Sequence, residues 1–283
     1  MTTLRIGGVP EHFNYPIHLA IQNGAFKNQG IHIKWTDFPG GTGAMNKALR
    51  ENVIDVAIVL TEGIVKDIAN GNRSKIIQTY VQSPLLWGIH VGAESNFRKE
   101  EDLKGKRIAI SRFGSGSHLM AHVHADTMGW NLKEDQFVVV NNIDGAVEAL
   151  TKGTADYFMW EHFTTKPIVD DGTFRRVGDF PTPWPCFVLA ARQEVIKTEN
   201  KGLEEFLKIL NSTTSTFKNI RKINAKLSEK YEQRSSDIDE WLLSTQWSQS
   251  QLTTRDLDNV QQILKELKHI DKCYPDATYL TDF

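Results

Sequence analysis

Through roughly its first 160 residues the chain alternates between two hydrophobic periods, and this constrains its fold more than any other feature. Short runs rich in β-branched residues read as strands at residues 4–7, 31–35, 54–60, 75–81, 88–91, 107–111, 136–140 and 155–159. Helix-like stretches lie between most of them, at 16–26, 44–51, 63–70, 117–129 and 145–152, with Gly24, Gly71, Gly129 and Gly153 where helix C-caps are expected. Strand and helix alternating at this spacing build βα units and a mostly parallel sheet. The fold class is therefore α/β, doubly wound.

A single long sheet does not account for the whole pattern. The rhythm breaks at Ser83-Pro84-Leu85-Leu86-Trp87-Gly88, and a polar surface segment follows over 94–106. A second βα series starts at Arg107 and closes near 175–180. Pro181, Pro183 and Pro185 then precede an apolar run over 186–191, and a polar helical tail follows with amphipathic spacing at 203–210 and 260–267. This predicts two α/β lobes joined by a two-strand hinge: lobe I from residues 1–84 and 188–283 with the tail, lobe II from 85–187. The crossings fall near 82–88 and 184–190.

Composition removes several function classes. With 33 basic and 35 acidic residues the formal charge is −2, which gives no electrostatic footprint for nucleic acid. No segment reaches the roughly 18 apolar residues of a membrane span. Two cysteines, Cys186 and Cys273, are too few for a disulfide framework or a multi-thiolate metal site. Met1-Thr2-Thr3 runs straight into Leu4-Arg5-Ile6 without a signal-peptide pattern, so a cytoplasmic protein is expected. The alternative is a periplasmic protein whose signal peptide has been removed.

In open α/β sheets ligands bind beyond the carboxyl ends of the strands, where loops lead into helices. The unusual residues of this chain gather at those points: His12 after the first strand, Gly40–Gly43 after the second and Thr61-Glu62-Gly63 after the third. In the second series they are Gly114-Ser115-Gly116-Ser117, then Asp144, then Trp160-Glu161. Glycine- and serine-rich helix starts offer backbone N–H groups to anions, although each also reads as an ordinary N-cap. Glu62 and Glu161 could hold donor groups of a ligand, or merely complement their own helix N-termini. No third glycine completes a dinucleotide fingerprint at Gly114, and no Walker lysine follows either loop. His118, His122 and His124 lack the glutamate of a zinc-protease motif. No Gly-x-Ser-x-Gly elbow is present, and Cys186 reads as a small buried hydrophobe.

Three further cues carry a resemblance: Ala20-x-x-x-Gly24-Ala25-Phe26-x-x-x-Gly30-Ile31, then Ala48-Leu49 followed by Ile54-Asp55-Val56-Ala57, and Asp102-Leu103-Lys104-Gly105-Lys106-Arg107-Ile108-Ala109. Their order and spacing resemble the type II periplasmic solute-binding proteins, in the branch of sulfonate and nitrate binders and thiamine-pyrimidine-precursor proteins. The chain is most similar to a group of bacterial and fungal proteins carrying Ser111-Arg112-x-Gly114-Ser115-Gly116-Ser117-His118, whose fungal members would be cytosolic. The fungal pyrimidine-precursor synthases of this fold use a lysine and a histidine near the third strand end, plus a cysteine-rich run. Residues 57–63 hold neither Lys nor His, and Cys186 stands alone in its region, so that chemistry is not expected here.

The expectation is a non-enzymatic protein that closes two lobes around a small polar metabolite, anionic or zwitterionic, with no cofactor and no metal. Its ligand contacts would be His12, Gly41, Thr42, Gly43, Thr61 and Glu62 in lobe I. Lobe II would supply Gly114, Ser115, Gly116, Ser117, Asp144, Trp160 and Glu161. Two alternatives stay open. One is an enzyme acting on a pyrimidine-like or amino-sulfonate metabolite. The other is the substrate-binding subunit of an ABC importer, partnered by a permease only if exported.

Overall fold

A computed structural model describes residues 2–281. The chain opens with β1 (Thr2–Gly8), α1 (Tyr15–Gln22), α2 (Ala25–Asn28), β2 (Ile31–Asp37), α3 (Gly41–Arg50), β3 (Val56–Leu60), α4 (Thr61–Ala69) and β4 (Ser74–Val81). Proline stands in the first turn of α1, where its missing N–H costs nothing. The single helix expected over 16–26 is two helices, because Gly24 takes a left-handed φ of 70° and ends the first one.

A second series follows: β5 (Leu86–Gly92), β6 (Ile108–Ile110), α5 (Gly116–Thr127), β7 (Phe137–Val139), α6 (Ile143–Thr151), β8 (Tyr157–Glu161), α7 (Lys166–Asp170) and β9 (Phe174–Pro181). The chain then forms β10 (Phe187–Arg192) and the tail helices α8 (Gln193–Thr198), α9 (Asn200–Thr216), α10 (Ile223–Tyr231), α11 (Ser235–Ser244) and α12 (Thr254–Glu266).

The structure divides into two units, one of Met1–Ser83 with Trp184–Phe283 and the other of Pro84–Pro183. Each holds one five-stranded sheet, ordered β2-β1-β3-β10-β4 in the first and β7-β6-β8-β5-β9 in the second. In the first, β1 runs parallel to β2 and β3, while β10 is antiparallel to both its neighbours. In the second, β6 is parallel to β7 and β8, and β5 is antiparallel to β8 and β9. Each sheet is thus a parallel βα sheet interrupted by one reversed strand. The inner strands β3 and β10 are apolar and buried along almost their whole length, as strands covered on both faces must be.

The second unit's core joins α6 to its sheet through Ala109, Val140, Ala146, Leu150 and Phe158, all buried. Here α6 lies so close to the end of β7 that a Cβ built on Gly145 would fall 2.0 Å from the Val140 carbonyl oxygen. Backbone cannot yield as a flexible side chain does. Gly145→Ala is therefore expected to destabilise the protein by about 1–3 kcal/mol, read as a lower denaturation midpoint with an unchanged m-value. An unaltered midpoint would contradict this packing.

Candidate functional site

Within each unit the parallel strands end at one edge, and the loops that leave them carry the residues expected at the site. In the first unit α3 and α4 start side by side. The Thr42 hydroxyl accepts the Leu60 N–H at 3.0 Å, and Asn46 Nδ2 donates to the Gly63 carbonyl at 3.0 Å. A Cβ on Gly63 would fall 2.5 Å from Thr42 Cγ2, so any side chain there would force Thr42 to shift. The two helix N-termini are thereby stitched together, and their dipoles add at one place.

Not every group expected to meet a ligand is available there. Gly41 N–H donates to the Phe38 carbonyl at 2.9 Å, which leaves those of Thr42 and Gly43 as first-turn donors without an intrahelical acceptor. Thr61 is fully buried. Its N–H donates to the Cys186 carbonyl and its hydroxyl to that of Pro185, so it anchors α4 to the start of β10 rather than facing a ligand.

Glu62 is the exception. It is fully buried in the first turn of α4, and Trp184 Nε1 donates to Oε2 at 2.8 Å. Oε1 is buried with no partner. Burial pushes its carboxyl up to about 7, against the opposing pull of its own N–H and of Trp184. A buried carboxyl oxygen without a donor is costly, and it is the kind of group a ligand donor would complete.

His12 is 1% exposed and lies against Trp241, Tyr231 and Phe13, with ring centroids 4.3, 5.7 and 5.1 Å away. Burial depresses it to about 3, and neither ring nitrogen has a partner. Phe13 lies 5.1 Å from Phe187 of β10, so a run of rings connects His12 to the strand beside β3.

In the second unit, the Ser115 hydroxyl caps α5 by accepting the His118 N–H at 3.3 Å. The Ser117 hydroxyl accepts the Ser111 N–H at 3.0 Å and lies 3.1 Å from that of Ser115. Gly114 N–H donates to His118 Nδ1. Both serine side chains therefore hold the loop, and the backbone N–H groups of Gly116 and Ser117 remain at the helix start. Asp144 is exposed in the first turn of α6, where it complements the helix dipole. Trp160 is half-buried and stacks on Phe158 at 5.3 Å.

Glu161 differs from Glu62 although both are buried at strand ends. One of its oxygens accepts both the N–H and the hydroxyl of Thr164, at 2.6 and 2.7 Å, so it closes its own turn. Burial still raises it above the ordinary carboxyl range. Two further residues stand beside these side chains, one in each unit. Trp184 orients Glu62, and Phe113, 53% exposed, stands on the loop before α5 with its ring 5.3 Å from that of His118.

Among the described residues no group of three or more His, Cys, Asp or Glu could hold a metal ion, and no helix is long and apolar enough to cross a membrane. Among the described residues neither cysteine forms a disulfide: Cys186 is buried, with its Sγ 3.9 Å from the Val81 carbonyl oxygen, and Cys273 is half-buried.

Residues 87–180 match the family model described as Ca3427-like PBP. No curated protein matches the sequence. Among solved structures, the Candida albicans CA3427 gene product, described as having the generic periplasmic binding protein fold, is 26% identical. It aligns over 99% of this chain and 96% of its own with a TM-score of 0.91. The alkanesulfonate-binding protein SsuA of Xanthomonas axonopodis pv. citri, bound to MOPS, is 18% identical over 100% and 99% of the two chains, with a TM-score of 0.81. PhnD1 of Prochlorococcus marinus, in complex with methylphosphonate, is 13% identical over 95% and 99%, with a TM-score of 0.65.

Proposed function

We propose that this chain, which has the periplasmic-binding-protein fold and matches the Ca3427-like model over residues 87–180, binds a small metabolite carrying both an N–H donor and an anionic group. The observation that carries this reading is Glu62, a fully buried carboxyl with one oxygen fixed by Trp184 and the other without a partner. The ligand's donor completes that oxygen. Its anionic group meets first-turn N–H groups, those of Thr42 and Gly43 on α3 and those of Gly116 and Ser117 on α5. Neighbours named for an alkanesulfonate and in complex with methylphosphonate support an anionic head group. In this reading, binding draws the two units together.

Isothermal titration with amino-substituted alkanesulfonates and alkylphosphonates, beside their amine-free counterparts, tests the reading. The amino compounds are expected to bind, and Glu62→Gln to weaken them about tenfold or more, as loss of a charge-assisted hydrogen bond does. Equal affinity for the wild type and Glu62→Gln would overturn it. A second reading has its own observation. A carboxyl held near 7 is also suited to proton transfer, so mass spectrometry of the ligand before and after incubation separates a binder from an enzyme. Service as an importer subunit is a third reading and requires an exported chain.

A further inference from the structure

At the opposite end of the first unit's sheet, where β4 begins and β10 ends, lies a cavity of about 600 Å³. Its walls include Arg50, Arg73, Arg192 and Lys197 against the single acid Glu194. This concentration of positive charge stands out in a chain whose formal net charge is −2. The backbone builds it: Arg192 pairs with Ser74 across the sheet, and Gln193 N–H donates to the Arg73 carbonyl at 2.9 Å. Lys197 follows four residues after Gln193, one turn along α8.

The cations divide into two kinds. Arg50 is held by Asp67, and Arg192 by Asp55 at 2.9 Å and Glu194 at 3.0 Å. Arg73 and Lys197 have no acidic partner among the described residues. Cations at the ends of α3 and α4 also answer the helix dipoles, but Lys47, Arg50 and Lys66 already stand in those last turns. That role does not account for Arg73, which lies beyond α4 just before β4. The volume falls within the range of about 300–1,000 Å³ typical of small-molecule sites. No aromatic side chain lines it, so nothing there stacks on a base or ring.

From this geometry we propose a second ligand site, for a compact polyanion of the pyrophosphate type, held by Arg73 and Lys197 with Arg50 and Arg192 behind them. The recognised group is the phosphate chain, whether inorganic pyrophosphate or the diphosphate of a larger metabolite. This site is separate from that of Glu62.

Titration calorimetry with inorganic pyrophosphate and with a nucleoside diphosphate tests it on the full chain. Both are expected to bind saturably and with similar affinity, weakening steeply as salt rises. Arg73→Gln combined with Lys197→Gln should weaken both by at least tenfold. These are exposed side chains, so circular dichroism should show an unchanged fold. Glu62→Gln should bind pyrophosphate as the wild type does. Absence of saturable binding, or binding that the double variant leaves intact, would overturn the proposal. A nucleoside diphosphate that binds far more tightly than pyrophosphate would overturn the assignment of the phosphate chain as the recognised group.

Discussion

Asp55→Ala is expected to lower the free energy of unfolding by about 3–5 kcal/mol, because it strands charges that now share one buried carboxylate. Asp55 is 6% exposed and stands just before β3. It accepts the Arg5 N–H at 2.9 Å and two guanidinium N–H groups of Arg5 at 3.0 and 2.6 Å. Arg192 adds a further bond at 2.9 Å, so β1, β3 and β10 are tied at one carboxylate. The Arg5 side chain is 38% exposed, which places the loss toward the lower end of that range. Burial alone would raise the acid, but the bonds from Arg5 and Arg192 outweigh it and hold Asp55 below its ordinary range. The stability it contributes is therefore present above the unfolded value, near pH 4, and is lost as pH falls through the lower folded value. Guanidinium melts at pH 7 and at acid pH check this. The gap between wild type and variant should narrow in acid, and a gap that is small at neutral pH would contradict the account.

The second large effect has the opposite sign. Glu62 is raised to about 7 by burial, so the native state holds a proton there that the unfolded chain releases near pH 4.5. Stability linked to this group falls as pH climbs between those values, by on the order of 3 kcal/mol once the carboxylate is forced to ionise without a ligand. Glu62→Gln removes that cost. The variant should match the wild type near pH 4–5 and exceed it by an amount on the order of 3 kcal/mol at pH 8. His12 and His90, both depressed to about 3 by burial, change stability in the opposite direction as pH rises. They are common to both proteins and cancel in the difference. A variant less stable than the wild type at pH 8 would mean that Glu62 is a structural partner rather than an unsatisfied group. Gaining stability on removal of a site residue is the usual sign that the residue is kept for binding.

The fold was legible because local rules agree with one another along the chain. Proline opens α1, Gly24 closes it, Ser115 and Asn142 cap α5 and α6, and the apolar runs match buried strands. The reversed strands β5 and β10 were harder, since an apolar run buried on both faces carries no mark of its direction. The site was legible to the level of loops and no further. Glu62 and Glu161 look equivalent in sequence, each at a strand end before a turn. What separates them is Trp184, 122 residues from Glu62, against Thr164, three residues from Glu161. Spacing can suggest the second contact and not the first. His12 reads as a polar residue at a strand end, yet Tyr231 and Trp241 of the tail surround it, and no periodicity near residue 12 announces them. Gly41 fails as an anion donor for a similar reason: its N–H turns back to Phe38 within the loop, a detail of turn geometry that composition does not encode.

Native mass spectrometry of the gently purified wild type beside Glu62→Gln, both at neutral pH, shows directly whether Glu62 holds a ligand. A non-covalent small molecule is expected on the wild type, or on the wild type after incubation with an amino-sulfonate or amino-phosphonate, with its loss or strong reduction in the variant. The same adduct at the same occupancy on both proteins would contradict that role.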